Sequence, residues 1–296
     1  MARHLIIHGH FYQPPRDDPF TGSMPREPGA EPYHDFNEKI TAECYRPNAE
    51  LGNFERISFN VGPTLAIWLE GNAGDVYRRI LEADRANMRR FRHGNALAQP
   101  YNHTILPLDD RRDKHTQVRW GMADYVHRYG HRPEGMWLPE TAVDHETLEV
   151  LAENGIKFTI LSPTQAMGDI DPRRPYQVRL GNRRRIAVFF YDQQVSFLMS
   201  FVRESTDDAG RFTDELVEPR LRGGTVDGGD PLLLAATDGE LFGHHHPRKE
   251  YFLQYLTAEE LHRRGIPPVP LARYLSLIPP KVRADIRDGT SWSCEH

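Results

Sequence analysis

The chain has 296 residues, 39% apolar and 27% charged, a composition that suits a globular protein with one large α/β core or two small ones. Its 37 basic residues stand against 42 acidic ones for a net charge of -5, without a basic tail or Lys/Arg stripe, so nucleic acid is not an expected partner. No apolar run is long enough for a secretory leader or a membrane span, and Cys44 and Cys294 lack metal or disulfide spacing, so a reducing, cytoplasmic setting is expected.

Leu5–Phe11 reads as a first strand with His8 and His10 on one side, because strand residues i and i+2 share a face. Gln13, Pro14 and Pro15 follow. Residues 14–32 are crowded with Pro, Gly and charge and read as a long loop, of the kind that walls or covers a substrate site. A helix is expected over 33–45, then a second strand, Ile57–Val61, carrying Asn60. Helices follow at 64–70 and 75–91, the latter with Val76, Ile80, Leu81, Ala83 and Met88 as its apolar stripe. Residues 95–100 make a weaker third strand that leads through Gln99 to His103, and 111–129 reads as a helix closed by Gly130.

The fourth strand, Gly135-Met136-Trp137-Leu138, is stopped by Pro139, and Glu140 follows at once. A helix from 144 to 155 precedes the fifth strand at 158–162. The sixth lies at 186–192, after turns at 169–175 and 181–182 around a small hairpin. Helices at 194–202 and 209–221 and the Gly-rich segment 223–229 lead to the seventh strand, an apolar run from Leu232 that ends in Asp238. The last clear helix covers 250–264.

Seven largely apolar strands separated by helices predict a parallel sheet covered on both faces. We read residues 1–275 as a seven-stranded parallel (β/α)7 barrel, with an open doubly wound sheet as the competing architecture, and residues 276–296 as the start of a truncated C-terminal extension. In barrels the C-terminal strand ends carry the chemistry. Here those ends bear His8, His10, Asn60, Gln99, His103, Glu140, Asp192, Asp238 and Glu240.

No nucleophile elbow, P-loop or dinucleotide fingerprint is present. Paired carboxylates flanked by His, Trp and Tyr suit sugar chemistry: one attacks or steadies the anomeric carbon, the other protonates the leaving oxygen, and aromatic faces hold the ring. A second chemistry stays open, in which His8, His10 and an Asp hold a divalent metal that activates water. Glu240 rivals Asp238 as the acid/base, and Asp238 is favoured because it comes first after the apolar run. His244, His245 and His246 suit metal ligation and sugar contact equally. Trp68, Trp120 and Trp292 are expected in the core, while Trp137 points into the barrel or toward the cleft.

His8-Gly9-His10-Phe11-Tyr12-Gln13-Pro14 resembles the His-x-His-Gln-Pro opening of glycoside hydrolase family 57, with two residues inserted before Gln13. His103 with Ile105-Leu106-Pro107-Leu108 resembles its second region, Trp137-Leu138-Pro139-Glu140 its third, and Thr237-Asp238-Gly239-Glu240-Leu241-Phe242-Gly243-His244 its fourth. The four regions come in the family's order over about 240 residues. The run through His245, His246 and Pro247 looks closest to family 57-like bacterial proteins with an extra C-terminal domain of unknown function.

The resemblance implies a seven-stranded β/α barrel and retaining hydrolysis or transglycosylation of α-glucans, with no metal or other cofactor. By motif position Glu140 is then the nucleophile and Asp238 the acid/base. The implied carbohydrate contacts are His8, His10, Gln13, His103, Trp137, Glu240 and His244. The acidic residue usual in the second region is replaced by Ala96, Ala98 and Gln99, a departure that bears on sugar specificity. Family barrels normally continue into a helical domain that completes the cleft, whereas this chain stops at His296. The alternatives are a metal-dependent carbohydrate deacetylase or mannosidase-like hydrolase using His8 and His10, and a carbohydrate-binding protein without catalysis. No motif specifies an oligomeric state.

Overall fold

Every residue of β1, His4–Phe11, is buried, its histidines included. It pairs in parallel with β2, Ser58–Val61, on one side and with β6, Leu232–Asp238, on the other. The register sets His10 beside Asn60 and beside Asp238, so the polar ends of three strands fall on one level. The computed structural model describes residues 2–225 and 228–293; the expectations for Val226, Asp227 and Cys294 lie outside them.

A second sheet joins β3, Phe158–Leu161, in parallel with β5, Arg185–Phe190. β5 is antiparallel to β4, Pro175–Arg179, which forms the expected small hairpin, and β4 is parallel to β7, Val282–Arg283. The third and fourth expected strands form no ladder. Residues there make single parallel bridges, Phe59 with Ala96, Ala98 with Met136 and Gly135 with Phe158. Pro100 and Pro139 lie just beyond these short runs and lack the N–H that would extend the pairing. On the far side, the Asp192 N–H donates to the Leu234 carbonyl at 2.7 Å. The α/β class therefore holds, with ladders of three and four strands and not one continuous ladder of seven.

Alternation sorts the side chains of β1. Leu5 and Ile7 join the large cluster packed with helical residues such as Val76, Ile80 and Val118, whereas Ile6 joins an inner cluster. That inner cluster takes Leu97, Trp137, Ile160, Phe189 and Leu234 from the other strand segments. His8 and His10 share the side of Ile6 and continue this inner face toward the strand ends.

The long helices form at Gly74–Phe91 and Arg111–Tyr129. The helix expected at 33–45 begins at Phe36, where the Asp35 side chain accepts from the Glu38 N–H, and passes through a π turn at Thr41–Tyr45 to Glu50. The seven-residue helix Leu271–Leu277 is too short to show a period in the sequence. Trp120 is not a core residue: it is 53% exposed and meets Tyr101 edge-on. Among the described residues no helix is long and apolar enough to cross a membrane.

Gly121 lets the Arg111–Tyr129 helix touch the backbone beneath the site, since a Cβ there would lie 1.9 Å from the Gln99 carbonyl oxygen. Gly121→Ala should therefore lower stability by about 1–3 kcal/mol, read as a lower urea midpoint. Gly71→Ala, with open space around it in the Pro63–Asn72 helix, should raise stability by about 0.5–1 kcal/mol. Equal losses for the two variants would contradict the close contact.

Candidate active site

A chain of neutral polar groups underlies the strand ends. His8 is fully buried, with Nδ1 3.0 Å from Ser58 Oγ and Nε2 3.2 Å from Asn60 Oδ1. Asn60 Nδ2 donates to His10 Nδ1 at 2.9 Å and to Gln99 Oε1 at 2.6 Å, and His10 Nε2 meets His103 Nε2 at 3.0 Å. One set of tautomers satisfies the row, with Ser58 donating to His8, His8 to Asn60, Asn60 to His10 and His10 to His103. Burial holds the imidazoles uncharged: His8 is lowered to about 3, and His10 well below its usual value, with His103 adding to the effect.

Of the expected carbohydrate contacts, His8 and Trp137 lie beneath the cleft at 0% exposure, their rings stacked 4.7 Å apart. Trp137 also stacks under His10 at 5.3 Å, so it supports the cleft floor from below.

Glu140 stands on a strained turn. It has φ 55° and ψ 17°, and Thr141 follows with φ 48°. Left-handed backbone costs about 1–2 kcal/mol per residue for L-amino acids other than glycine, and the β-branched Thr141 fits it poorly. Hydrogen bonds hold it: the Thr141 N–H donates to the Leu138 carbonyl at 2.8 Å and Thr141 Oγ1 to Gln165 Oε1 at 2.9 Å. Gln165 Nε2 returns a bond to the Thr141 carbonyl at 2.9 Å. The indole N–H of Trp292 donates to Glu140 Oε2, and its backbone N–H to the Glu140 carbonyl, each at 3.0 Å. Trp292 is thus a half-buried residue of the cleft and not of the core, a role that no spacing in the sequence signals.

Asp238, at the end of β6, is exposed to the cleft and has no hydrogen-bond donor among the described residues. Water reaches one side of its carboxyl while the cleft walls remove hydration from the rest. That desolvation, with the charge of Glu140 adding to it, pushes Asp238 up to about 6. Glu240 is instead buried and accepts from Tyr45 Oη at 2.6 Å, from the Tyr12 N–H at 3.3 Å and from Gln13 Nε2 at 3.5 Å. Burial raises it to about 7, against the pull of the Tyr45 hydrogen bond.

Glu140 and Asp238 line two neighbouring cavities. In one, of about 320 Å³, they are joined by His10, Gln13, His103, Glu240 and His244. In the other, of about 560 Å³, they meet Tyr191, Phe197, Phe201, His245 and Trp292. The carboxylates therefore stand where two spaces meet. His244 is held by Glu43 at 2.6 Å, and among the described residues no three His, Cys, Asp or Glu side chains are grouped to ligate one ion.

The family model described as glycosyl hydrolase family 57 matches residues 75–286. The 4-alpha-glucanotransferase of Thermococcus litoralis is 26% identical over 214 residues, 70% of this chain and 30% of that protein, so the chain spans under a third of that relative. The crystal structure of a Thermococcus litoralis 4-alpha-glucanotransferase aligns with a TM-score of 0.76 at 21% identity, covering 99% of this chain and 43% of that one. An exo-type maltose-forming amylase from Pyrococcus sp. ST04 aligns with a TM-score of 0.79 at 18% identity, covering 99% and 53%. For a family 57-type branching enzyme from Pyrococcus horikoshii the values are 0.74 and 18%, covering 99% and 74%. At these identities the likeness to solved structures is one of fold.

The Tyr45 hydroxyl is a charge-assisted donor only while Glu240 is ionised. Tyr45→Phe should cost on the order of 1–3 kcal/mol at pH 8 and clearly less at pH 5.5, below the value of about 7 at which Glu240 takes up its proton. Urea unfolding at the two pH values measures the difference, and an equal loss at both would refute it.

Proposed function

Since the chain belongs to glycosyl hydrolase family 57, we propose that it hydrolyses or transfers α-glucans with retention of configuration, Glu140 acting as nucleophile and Asp238 as acid/base. The observation that carries this reading is the unequal surroundings of two neighbouring carboxyl groups. Glu140 has an indole donor on one oxygen, whereas Asp238 has none and is raised to about 6 beside it. A pair whose environments push ionisation apart is what acid/base division requires.

In the first half-reaction a Glu140 oxygen bonds to the anomeric carbon as the glycosidic C–O bond breaks, and the Asp238 proton passes to the departing oxygen. In the second, water or a sugar hydroxyl gives its proton to Asp238 and displaces Glu140. The two cavities offer room for sugar on either side of the scissile bond, with His10, Gln13, His103, Glu240 and His244 around one of them. A carboxyl separation of about 5–5.5 Å belongs to this mechanism. We read the paired strands and the bridged segments between them as one seven-unit barrel, whose C-terminal rim is this cleft. Against a metal site on His8 and His10 stands the engagement of both His8 nitrogens, with Ser58 and Asn60, below the floor.

Glu140→Ala should reduce turnover of α-glucans to background, and azide should restore it with inverted product configuration by filling the vacated space. Asp238→Ala should spare substrates whose leaving group departs without a proton. Parental activity in both variants on every substrate would place the chemistry elsewhere.

The pH profile gives a separate check. Because Asp238 donates a proton, kcat/KM should fall as pH rises through about 6, the value set by burial and Glu140. A profile flat from pH 5 to pH 8 would exclude Asp238 as the acid.

A further inference from the structure

The residues that hold Glu140 in place come from far along the chain. Left-handed backbone at Glu140 and Thr141 relaxes to an ordinary conformation unless its surroundings fix it. Gln165 supplies part of the restraint, and residues 285–292, which cross the same edge of the fold as a strap, supply another part. The Met167 N–H donates to the Asp285 carbonyl at 2.9 Å and the Arg287 N–H to the Gln165 carbonyl at 2.8 Å. The Gly289 N–H donates to the Val143 carbonyl at 3.0 Å, and the Val143 N–H to the Thr290 carbonyl at 3.0 Å. Gln165 Nε2 also reaches the Thr290 carbonyl at 3.1 Å. The strap is thus tied on both flanks of the turn, at Val143 and at Gln165–Met167, and delivers Trp292 to Glu140.

The indole itself has little freedom. Its ring packs edge-on against Trp137 at 5.1 Å and against Tyr191 at 6.4 Å, so the direction of its N–H is set by two aromatic neighbours. One side chain and its own backbone then grip the two ends of one residue, Oε2 and the peptide carbonyl of Glu140.

We propose that Trp292 is the positioning residue for Glu140: it ties Oε2 and the strained peptide together and leaves Oε1 as the oxygen that attacks. The proposal rests on the reading of Glu140 as nucleophile. With Oε2 occupied, carboxylate rotation is blocked and Oε1 presents one lone-pair direction to the cleft, an orientation effect that acts on the chemical step more than on substrate capture. The balance of the step is unchanged: Oε1 forms the bond to the anomeric carbon, and the leaving oxygen takes the Asp238 proton.

The test is Trp292→Phe, which keeps an aromatic face in the cleft and removes the donor, with thermal melting to confirm folding. On a soluble α-glucan, kcat should fall on the order of 10-fold while KM changes less than about 2-fold. A rise in KM at parental kcat would make Trp292 a sugar contact only and overturn the proposal. A readout independent of turnover comes from the indole N–H resonances. The Trp292 peak is the one absent in Trp292→Phe, and in Glu140→Ala it should move upfield and exchange faster with deuterium while the exposed Trp120 peak stays. An unmoved Trp292 peak also overturns the proposal, even if the parent turns over no glucan. Full activity in Glu140→Ala, by contrast, would sink the nucleophile reading by itself.

Discussion

Dehydration of a carboxyl group in a cleft that it shares with a second carboxylate, whose charge adds to the effect, is the constraint on which this site turns. Like charges brought together away from bulk water cannot both ionise at their ordinary values, and whichever group has fewer compensating donors retains its proton longer. The fold supplies the asymmetry through its backbone. β6 ends in open cleft and leaves Asp238 without a donor among the described residues, while the turn after Leu138 carries Glu140 to an indole N–H. The two carboxylates differ in their neighbours.

The row of groups from Ser58 to His103 serves the same end by staying neutral. Buried imidazoles this strongly desolvated remain uncharged over the working range, so they contribute direction without adding positive charge to the cleft floor. A hydrogen-bonded polar chain also rigidifies the strands that carry it, because each member fixes the tautomer of the next. Glu240, gripped by Tyr45 and Gln13, is a similar fixture on the wall, and its burial leaves the exposed position to Asp238.

Glu140 and Asp238 were legible in the sequence because an apolar run that stops abruptly at a carboxylate is a strong local signal. The histidines were legible only in part. Alternation tells which face a side chain takes but not how deep it lies, and two residues along a strand is about 7 Å. That distance separates His10, which lines the cleft, from His8, which lies beneath it. The third and fourth expected strands make only single bridges, because Pro100 and Pro139 close short runs before a ladder can form. Trp292 could not be read at all. Its place depends on backbone hydrogen bonds between loops, which carry no hydrophobic period, and it stands 152 positions from the residue it touches.

That separation has a consequence for how the protein comes into being. A chain synthesised from its N-terminus releases β1 and its histidines first, and domains condense as their segments emerge. The turn at Glu140 is available once β3 can pair beside it, but the strap that secures it is made later, Trp292 following Glu140 by 152 positions. Before the strap is made, the two Trp292 N–H groups that bind Glu140 are missing from the site. The site is completed only by a segment that follows the turn far along the chain, so its assembly order is set by that separation.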